Sequence, residues 1–323
     1  MDPSEPTLKQ LRYLAALDEV PHFRRAAERL GVSQPTLSAQ IQALEEALGL
    51  HLVERSRSGV ALTPLGRAVV TKARPVLAGA REIMDFAREG RTGLAGTIRL
   101  GSLSTLGPYL LPHVVARLHR QYPSLSLYVR ECQPEAQKRE LSEGRHDVLL
   151  TQMPFSGQDF VNEELFHEPL YLAVARDHPL ATRERVTMKD IEDETMLSLG
   201  MRFPLHAEVS RLAASYGARM QADYEGTSLD ALRLMIGMGM GASFLPALYV
   251  FSEIRSGSDV VALPVHGQRL ERRVALTWRK GAGRATAYRR LAAIIRETVR
   301  RRFKELTVTG NADADLAIIR GRV

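Results

Sequence analysis

The chain has 323 residues, of which 45% are hydrophobic and 25% charged, which suits a small folded domain plus a larger one and excludes long disordered tracts. No uncharged apolar run approaches the roughly 18 residues of a membrane span, and Met1-Asp2-Pro3-Ser4-Glu5-Pro6 has no basic, apolar leader, so a cytoplasmic protein with no membrane partner is expected. A single cysteine, Cys132, excludes an intrachain disulfide, and the formal charge of +7 says little, because residues 1–60 hold seven Lys or Arg against eight Asp or Glu.

Leu8, Leu11, Leu14, Ala15 and Leu17 recur at helical spacing and predict a first amphipathic helix. A second starts near Phe23, where Ala26, Ala27 and Leu30 form one stripe before Gly31 ends it. Ser33 reads as the N-cap of a third, with Pro35 in its first turn and Leu37, Ile41, Leu44 and Leu48 along one face. Two short helices joined through Gly31-Val32 match the helix-turn-helix, whose second member enters the major groove of DNA. Gln34, Thr36, Ser38 and Gln40 at the start of that helix suit base edges and phosphate oxygens, and its free N–H groups suit a phosphate near Ser33 without a lysine. Arg24 and Arg25 open the second helix, where they reach a phosphate. Leu50 to Leu62 reads as two strands about a turn, a wing with Arg55 and Arg57 near its tip.

Pro64 to about Glu89 predicts one long helix, with Val69, Ala73, Val76, Ala80, Ile83 and Ala87 at coiled-coil intervals. Pro75 is expected to kink it or break it near residue 74. Pairing along that seam would present two recognition helices to a two-fold symmetric site. Residues 91–96, Arg91-Thr92-Gly93-Leu94-Ala95-Gly96, read as a hinge.

Beyond it, predicted strands (Thr97 to Leu103, Leu125 to Cys132, Asp147 to Met153) alternate with helices reaching Tyr122 and Glu143, the pattern of βαβ units with a parallel sheet. A second set follows: strands Leu170 to Ala175, Met196 to Leu199 and Val260 to Leu263, and helices from His206 to Tyr216 and Ser228 to Met238. The chain then returns through Val274 to Trp278 and a last helix from Thr286 to about Phe303. Two lobes joined by two crossovers give the periplasmic-binding-protein-like architecture, with a ligand cleft between lobes at strand carboxyl ends. Ser102, Ser104 and Thr105, between a strand and a helix, suit an anionic group such as a small carboxylate, although helix capping by Ser104 or Thr105 explains the hydroxyls as well. Arg202, His206, Thr227 and Ser228 are the candidates from the opposite lobe.

The basic excess lies between Arg269 and Lys304, in Arg272-Arg273, Arg279-Lys280, Arg289-Arg290 and Arg300-Arg301-Arg302. In the last helix Leu291, Ile294, Ile295, Val299 and Phe303 form an apolar stripe, so its arginines are assigned to a solvated outer face, and the tail after Thr309 to mobile chain. Gly237, Gly239 and Gly241 lack the Lys and Ser of a phosphate loop and read as a helix-to-strand turn. No HExxH, CxxC or GxSxG is present, and His113 and His119 are six apart, so no catalytic residue, metal or other cofactor is expected. Cys132 is assigned a buried apolar role, and the methionines, Met188, Met196 and Met201 among them, to core filling.

The run Phe23-Arg24-Arg25-Ala26-Ala27, Val32-Ser33-Gln34-Pro35-Thr36-Leu37-Ser38, Gln40-Ile41, Leu44-Glu45, Leu48-Gly49, Glu54-Arg55, Leu62-Thr63 and Gly66 resembles the LysR-type signature of bacterial regulators. Leu106-Gly107-Pro108-Tyr109-Leu110-Leu111-Pro112-His113, Asp177-His178-Pro179, Thr227-Ser228-Leu229 and Phe244-Leu245-Pro246-Ala247-Leu248 are similar to its peroxide-sensing OxyR branch. The resemblance implies a DNA-contacting set of Phe23, Arg24, Arg25, Ser33, Gln34, Pro35, Thr36, Ser38, Gln40, Arg55 and Arg57 on an interrupted palindrome, a dimer of dimers, contact with RNA polymerase, and activation of target genes. It also implies sensor cysteines in the second lobe, yet Pro204 stands where the reactive thiol belongs and Ala213 near the resolving one, and proline forms no sulfenic acid. Thr105 and Arg279 match pocket residues of that branch.

The expected fold is therefore α/β: a winged helix-turn-helix at 6–64, a dimerising linker helix at 65–92, a two-lobed effector domain at 93–305 (lobe I 96–166 and 269–305, lobe II 167–268) and a flexible tail at 306–323. The expected function is a DNA-binding transcription activator, without the cysteine-pair switch, controlled by a small anionic effector bound between the two lobes. The alternative is an OxyR-like oxidative-stress regulator using Cys132 or methionines. An enzyme or transport receptor on the two-lobed fold leaves the first sixty residues unexplained.

Overall fold

Local hydrogen bonds set the first three helices. The computed structural model describes residues 5–56, 59–89, 94–254 and 257–319, with backbone alone at 55–56, 59 and 85–89. The chain divides into two units, Met1–Ala87 with Ser142–Arg145, and Arg88–Leu141 with His146–Val323.

In the first unit, α1 (Leu8–Glu19) opens with a capping box, in which Thr7 and Gln10 each satisfy the other's backbone N–H. Helix α2 (Phe23–Leu30) ends at Gly31, whose φ of 68° lets its N–H return to the Ala27 and Glu28 carbonyls. Helix α3 (Gln34–Leu48) starts at Ser33, whose Oγ accepts the Thr36 N–H. Leu14, Ala26, Leu37, Ile41 and Leu44 are fully buried between the three helices. Strands β1 (Val53–Ser56) and β2 (Gly59–Leu62) pair antiparallel as the wing. The Glu45 carboxylate on α3 accepts the N–H groups of Leu52 and Val53 at 2.7 and 3.1 Å, which fixes the wing to the recognition helix.

Helix α4 (Pro64–Glu89) begins against that wing: a Cβ at Gly66 would stand 2.1 Å from the Leu52 carbonyl oxygen, so only glycine fits. The expected break near residue 74 does not occur, and α4 runs unbroken through Pro75. Proline removes one helical hydrogen bond, and the residue that loses its donor, Thr71, is exposed and open to water. The predicted seam divides as well. Val69 and Ala73, with Val70 and Leu77, pack on the unit's own core, while Val76 and Ile83 are 50% and 70% exposed. Ala80 is half-buried, and the Ala87 side chain lies outside the described residues.

The second unit starts with β3 (Gly96–Ser102), α5 (Gly107–Gln121), β4 (Leu125–Glu131), α6 (Pro134–Ser142), β5 (Val148–Gln152) and the 16-residue β6 (Phe160–Ala175). It continues through β7 (Val186–Thr187), β8 (Thr195–Met196), α7 (Pro204–Ser215), β9 (Arg219–Met220), α8 (Leu229–Gly237), β10 (Ser243–Pro246), α9 (Ala247–Glu253), β11 (Val260–Leu263) and β12 (Val265–His266). The return is β13 (Glu271–Arg279), α10 (Ala285–Arg302), β14 (Thr307–Val308) and α11 (Ala312–Ile319). Strands β4, β3 and β5 are parallel, as expected of βαβ units, but β13 and β6 run antiparallel, so the sheet is mixed. The reason is β6: its first part pairs with β13 in one lobe, and its last residues lie between β10 and β11 in the other. One strand thus serves two hydrophobic cores, one around Ile98, Leu150, Trp278 and Ile295, the other around Leu172, Leu197, Leu212 and Phe244.

Residues 91–93 of the predicted hinge lie outside the described residues, but Leu94 and Ala95 are buried, and Arg284 donates to the Ala95 and Thr97 carbonyls. The mobile tail is a second correction. Through residue 319 it is packed: β14 pairs with β6, Leu306 is buried, and α11 lies on α10. Asp315, 3% exposed, accepts Arg296 and pairs with Arg300. Consequently α10 is buried at every position from Leu291 to Val299, and Arg296 points into the protein toward Glu163 and Asp315 instead of solvent.

Candidate nucleic-acid interface and effector cleft

The apolar face of α3 is wholly used in packing, which leaves its first turn outward. Ser33, Gln34, Pro35 and Thr36 are exposed, and Ser38 and Gln40 are half-buried. The Ser33 and Thr36 hydroxyls lie 2.8 Å apart, so the turn is held by its own side chains. Arg24 and Arg25 are exposed on α2; Arg24 pairs with Glu28 at 3.2 Å in full solvent, a contact too weak to hold it from a phosphate. Phe23 is 7% exposed and packs in the three-helix core, which assigns it a part in shaping the motif. Arg55 contributes backbone to β1, its side chain lies outside the described residues, and so does Arg57 entirely. Glu45 was not singled out as a positioning residue, because a glutamate on a helix gives no local sign that it will cap the backbone of a following strand.

In the second unit, Ser102 is buried with its hydroxyl on the Leu103 carbonyl, and Ser104 is half-buried. Neither Ser104 nor Thr105 caps α5: the N-cap is Leu106, with no side-chain bond, so the positive end of that helix is left uncompensated by its own cap. Thr105 instead meets Arg272, whose Nη1 donates to Thr105 Oγ1 at 3.0 Å and whose Nη2 donates to the Thr105 carbonyl at 2.8 Å. Arg272 Nε donates to Glu168 Oε2 at 2.7 Å, and Glu168 Oε1 accepts the Leu248 N–H at the start of α9. This buried lock joins the loop after β3, β6, β13 and α9. The basic excess between Arg269 and Lys304 gave no sign of this role for Arg272, since nothing local distinguishes it from the exposed Arg273.

In the second lobe, His206 is occupied on both ring nitrogens, Nδ1 by the Leu199 carbonyl at 2.9 Å and Nε2 by Ser210 Oγ at 3.2 Å. Ser228 caps α8 by accepting the Ala231 N–H. Arg202 and Thr227 are exposed, with Arg202 over the Phe203 ring. Arg279 donates to the Leu141 and His146 carbonyls. Two described cavities of about 280 and 220 Å³ lie elsewhere, one between α5 and α10 at Arg117 and Arg302, one at Tyr171 and Gln268. Cys132, one residue past β4, is buried, and burial pushes its thiol up to about 11, which keeps it protonated and a poor nucleophile. Met188 and Met196 are core residues, whereas Met201 is 76% exposed.

Residues 8–67 match the family described as "Bacterial regulatory helix-turn-helix protein, lysR family", and residues 91–300 match "LysR substrate binding domain". The chain is 37% identical over 301 residues to a hydrogen peroxide-inducible genes activator of Dickeya chrysanthemi, covering 93% of this chain and 98% of that protein. It is 37% identical over 289 residues to the DNA-binding transcriptional dual regulator OxyR of Escherichia coli K12, covering 90% and 94%. Among solved structures, a full-length OxyR from Pseudomonas aeruginosa aligns over 95% of this chain and 99% of its own with a TM-score of 0.75 and 33% identity.

Proposed function

The chain belongs to the LysR family of bacterial transcription regulators, and from that premise we propose that it is a cytoplasmic, tetrameric activator that reads an interrupted palindrome through α3. One observation carries the reading: a polar, exposed first turn on a helix whose other face is locked in a core, with two exposed arginines on the preceding helix. Such a turn offers amide side chains to base edges and a helix N-terminus to phosphate.

Fluorescence anisotropy on the chain's own promoter fragment, against scrambled competitor at moderate salt, tests it. Gln34→Ala is expected to lower affinity for the specific fragment by about tenfold or more while leaving scrambled DNA bound as before. Equal binding of both fragments by the unaltered protein would remove the reading.

A small anion bound between the lobes is the controlling signal in this proposal. Its support is the uncapped N-terminus of α5 next to Ser104 and Thr105, whose hydroxyl, accepting from Arg272, keeps its own proton to donate. The candidates in the second lobe narrow to Arg202, Thr227 and Ser228: Ser228 accepts the Ala231 N–H and, like Thr105, keeps its own proton to donate, whereas both ring nitrogens of His206 are engaged. RNA polymerase is the partner that activation requires.

A second reading, a response to hydrogen peroxide, is favoured by the names of the relatives. The lone cysteine and its protonated, buried state count against a thiol switch. Transcription from the target promoter, measured with small carboxylates and separately with hydrogen peroxide, separates the two. The first reading expects a carboxylate to alter output and Cys132→Ser to leave any peroxide response unchanged; a peroxide response lost in Cys132→Ser would reverse the order.

A further inference from the structure

Cys132 at the end of β4, Glu140 on α6 and His146 ahead of β5 come together in the first lobe, although eight and six residues separate them along the chain. Cys132 Sγ, a Glu140 carboxylate oxygen and a ring nitrogen of His146 all lie within 4.8 Å of one another. His146 Nε2 stands 3.0 Å from Glu140 Oε2. We propose that these three side chains form a binding site for a single zinc-like divalent ion.

The donors are held for the task. The His146 ring is buried over Gly101, where a Cβ would come within 2.9 Å of it, so the imidazole has one orientation. Its backbone is anchored by Arg279, which donates to the His146 carbonyl at 3.0 Å. The thiol donates to the Ser102 carbonyl at 3.6 Å and accepts from Gln137 Nε2 at 3.7 Å, while Gln137 Oε1 accepts the Thr151 hydroxyl at 2.7 Å. Zinc with bonds of about 2.0–2.3 Å places its donors about 3.3–3.6 Å apart; His146 and Glu140 already stand at 3.0 Å and Cys132 Sγ lies within 4.8 Å, a gap that rotation of the Cys132 and Glu140 side chains closes. The ion would replace the proton shared by His146 and Glu140 and the proton of the thiol.

The donor set also selects the ion. One sulfur, one imidazole nitrogen and one carboxylate suit zinc, and are wrong for magnesium or calcium, which take oxygen donors. Three protein donors leave a fourth position for water, on the side of Glu140, whose side chain is 13% exposed while that of His146 is 2% exposed. Nothing in the sequence announces the trio, because its spacing fits no linear metal motif and only the β4–α6–β5 crossover closes it. The inference is independent of the effector reading and of DNA binding.

The test uses the full chain, stripped of metal and titrated with Co²⁺ and then Zn²⁺. One equivalent of Co²⁺ is expected to produce a thiolate-to-cobalt charge-transfer band, which Zn²⁺ then abolishes. Cys132→Ser removes the band, and His146→Gln and Glu140→Gln each weaken Zn²⁺ binding by more than about tenfold. Circular dichroism and melting of the metal-free variants establish that they fold. Zn²⁺ also raises the melting temperature of the unaltered chain and not of Cys132→Ser. Absence of the charge-transfer band at one equivalent, or Zn²⁺ affinity unchanged in a folded Cys132→Ser, overturns the proposal.

Discussion

Arg272→Leu is expected to destabilise the second unit by about 3–5 kcal/mol, because it strands a carboxylate in the interior. The Arg272 side chain is 2% exposed and that of Glu168 is 0% exposed, so water cannot take the place of the guanidinium. With Arg272 gone, Glu168 keeps only the Leu248 N–H, and Thr105 loses both contacts that hold the loop after β3. Trp278, the single tryptophan, is fully buried on β13 in the same unit, so its fluorescence during denaturation reports this unit alone. The double variant Glu168→Gln, Arg272→Met is expected to recover most of the loss, since no charge is then left unpaired. An unchanged denaturation midpoint in Arg272→Leu would show that the pair contributes nothing to stability.

Ile83→Asp is expected to separate the subunits and lower affinity for the palindromic promoter by about a hundredfold or more, because two linked reading heads become one. Leu65, Val76 and Ile83 are 52%, 50% and 70% exposed in the single chain. At about 100° per residue they fall on one stripe of α4, within about 20° of each other. A row of exposed apolar side chains on a long helix favours a cover, and the two-fold site proposed for α3 makes a second copy the fitting one. Light scattering after gel filtration reads the mass, and anisotropy on the same samples reads the affinity. If the mass stays that of the unaltered protein, pairing does not run through this stripe.

The first unit was the more legible of the two. Its second helix ends and its third begins through hydrogen bonds between neighbours in sequence, Gly31 with Ala27 and Glu28 and Ser33 with Thr36, so those two bounds could be read from the residues, whereas the Thr7–Gln10 capping box of the first was not. The exposed turn from Ser33 to Thr36 followed, since burying Leu37, Ile41 and Leu44 leaves it no other direction. The burial of Phe23 was not legible beside Arg24 and Arg25, because adjacency in sequence does not tell which face a side chain occupies.

In the second unit the strands and helices were recognisable from period and length, but the cations were not. Arg272, Arg284 and Arg296 are buried against Glu168, backbone carbonyls and Asp315, while Arg273 and Arg289 face water, and no local pattern separates the two groups. The tail looked mobile because Asp315 finds its arginines only after α10 has docked. The amino-acid sequence alone thus determined where the second helix stops and the third starts, and which family's DNA-reading turn this is, because those depend on contacts a few residues apart. Tertiary structure decided which charges are paired inside, what covers α10, and that Cys132, Glu140 and His146 meet, because each depends on groups brought together across the sheet.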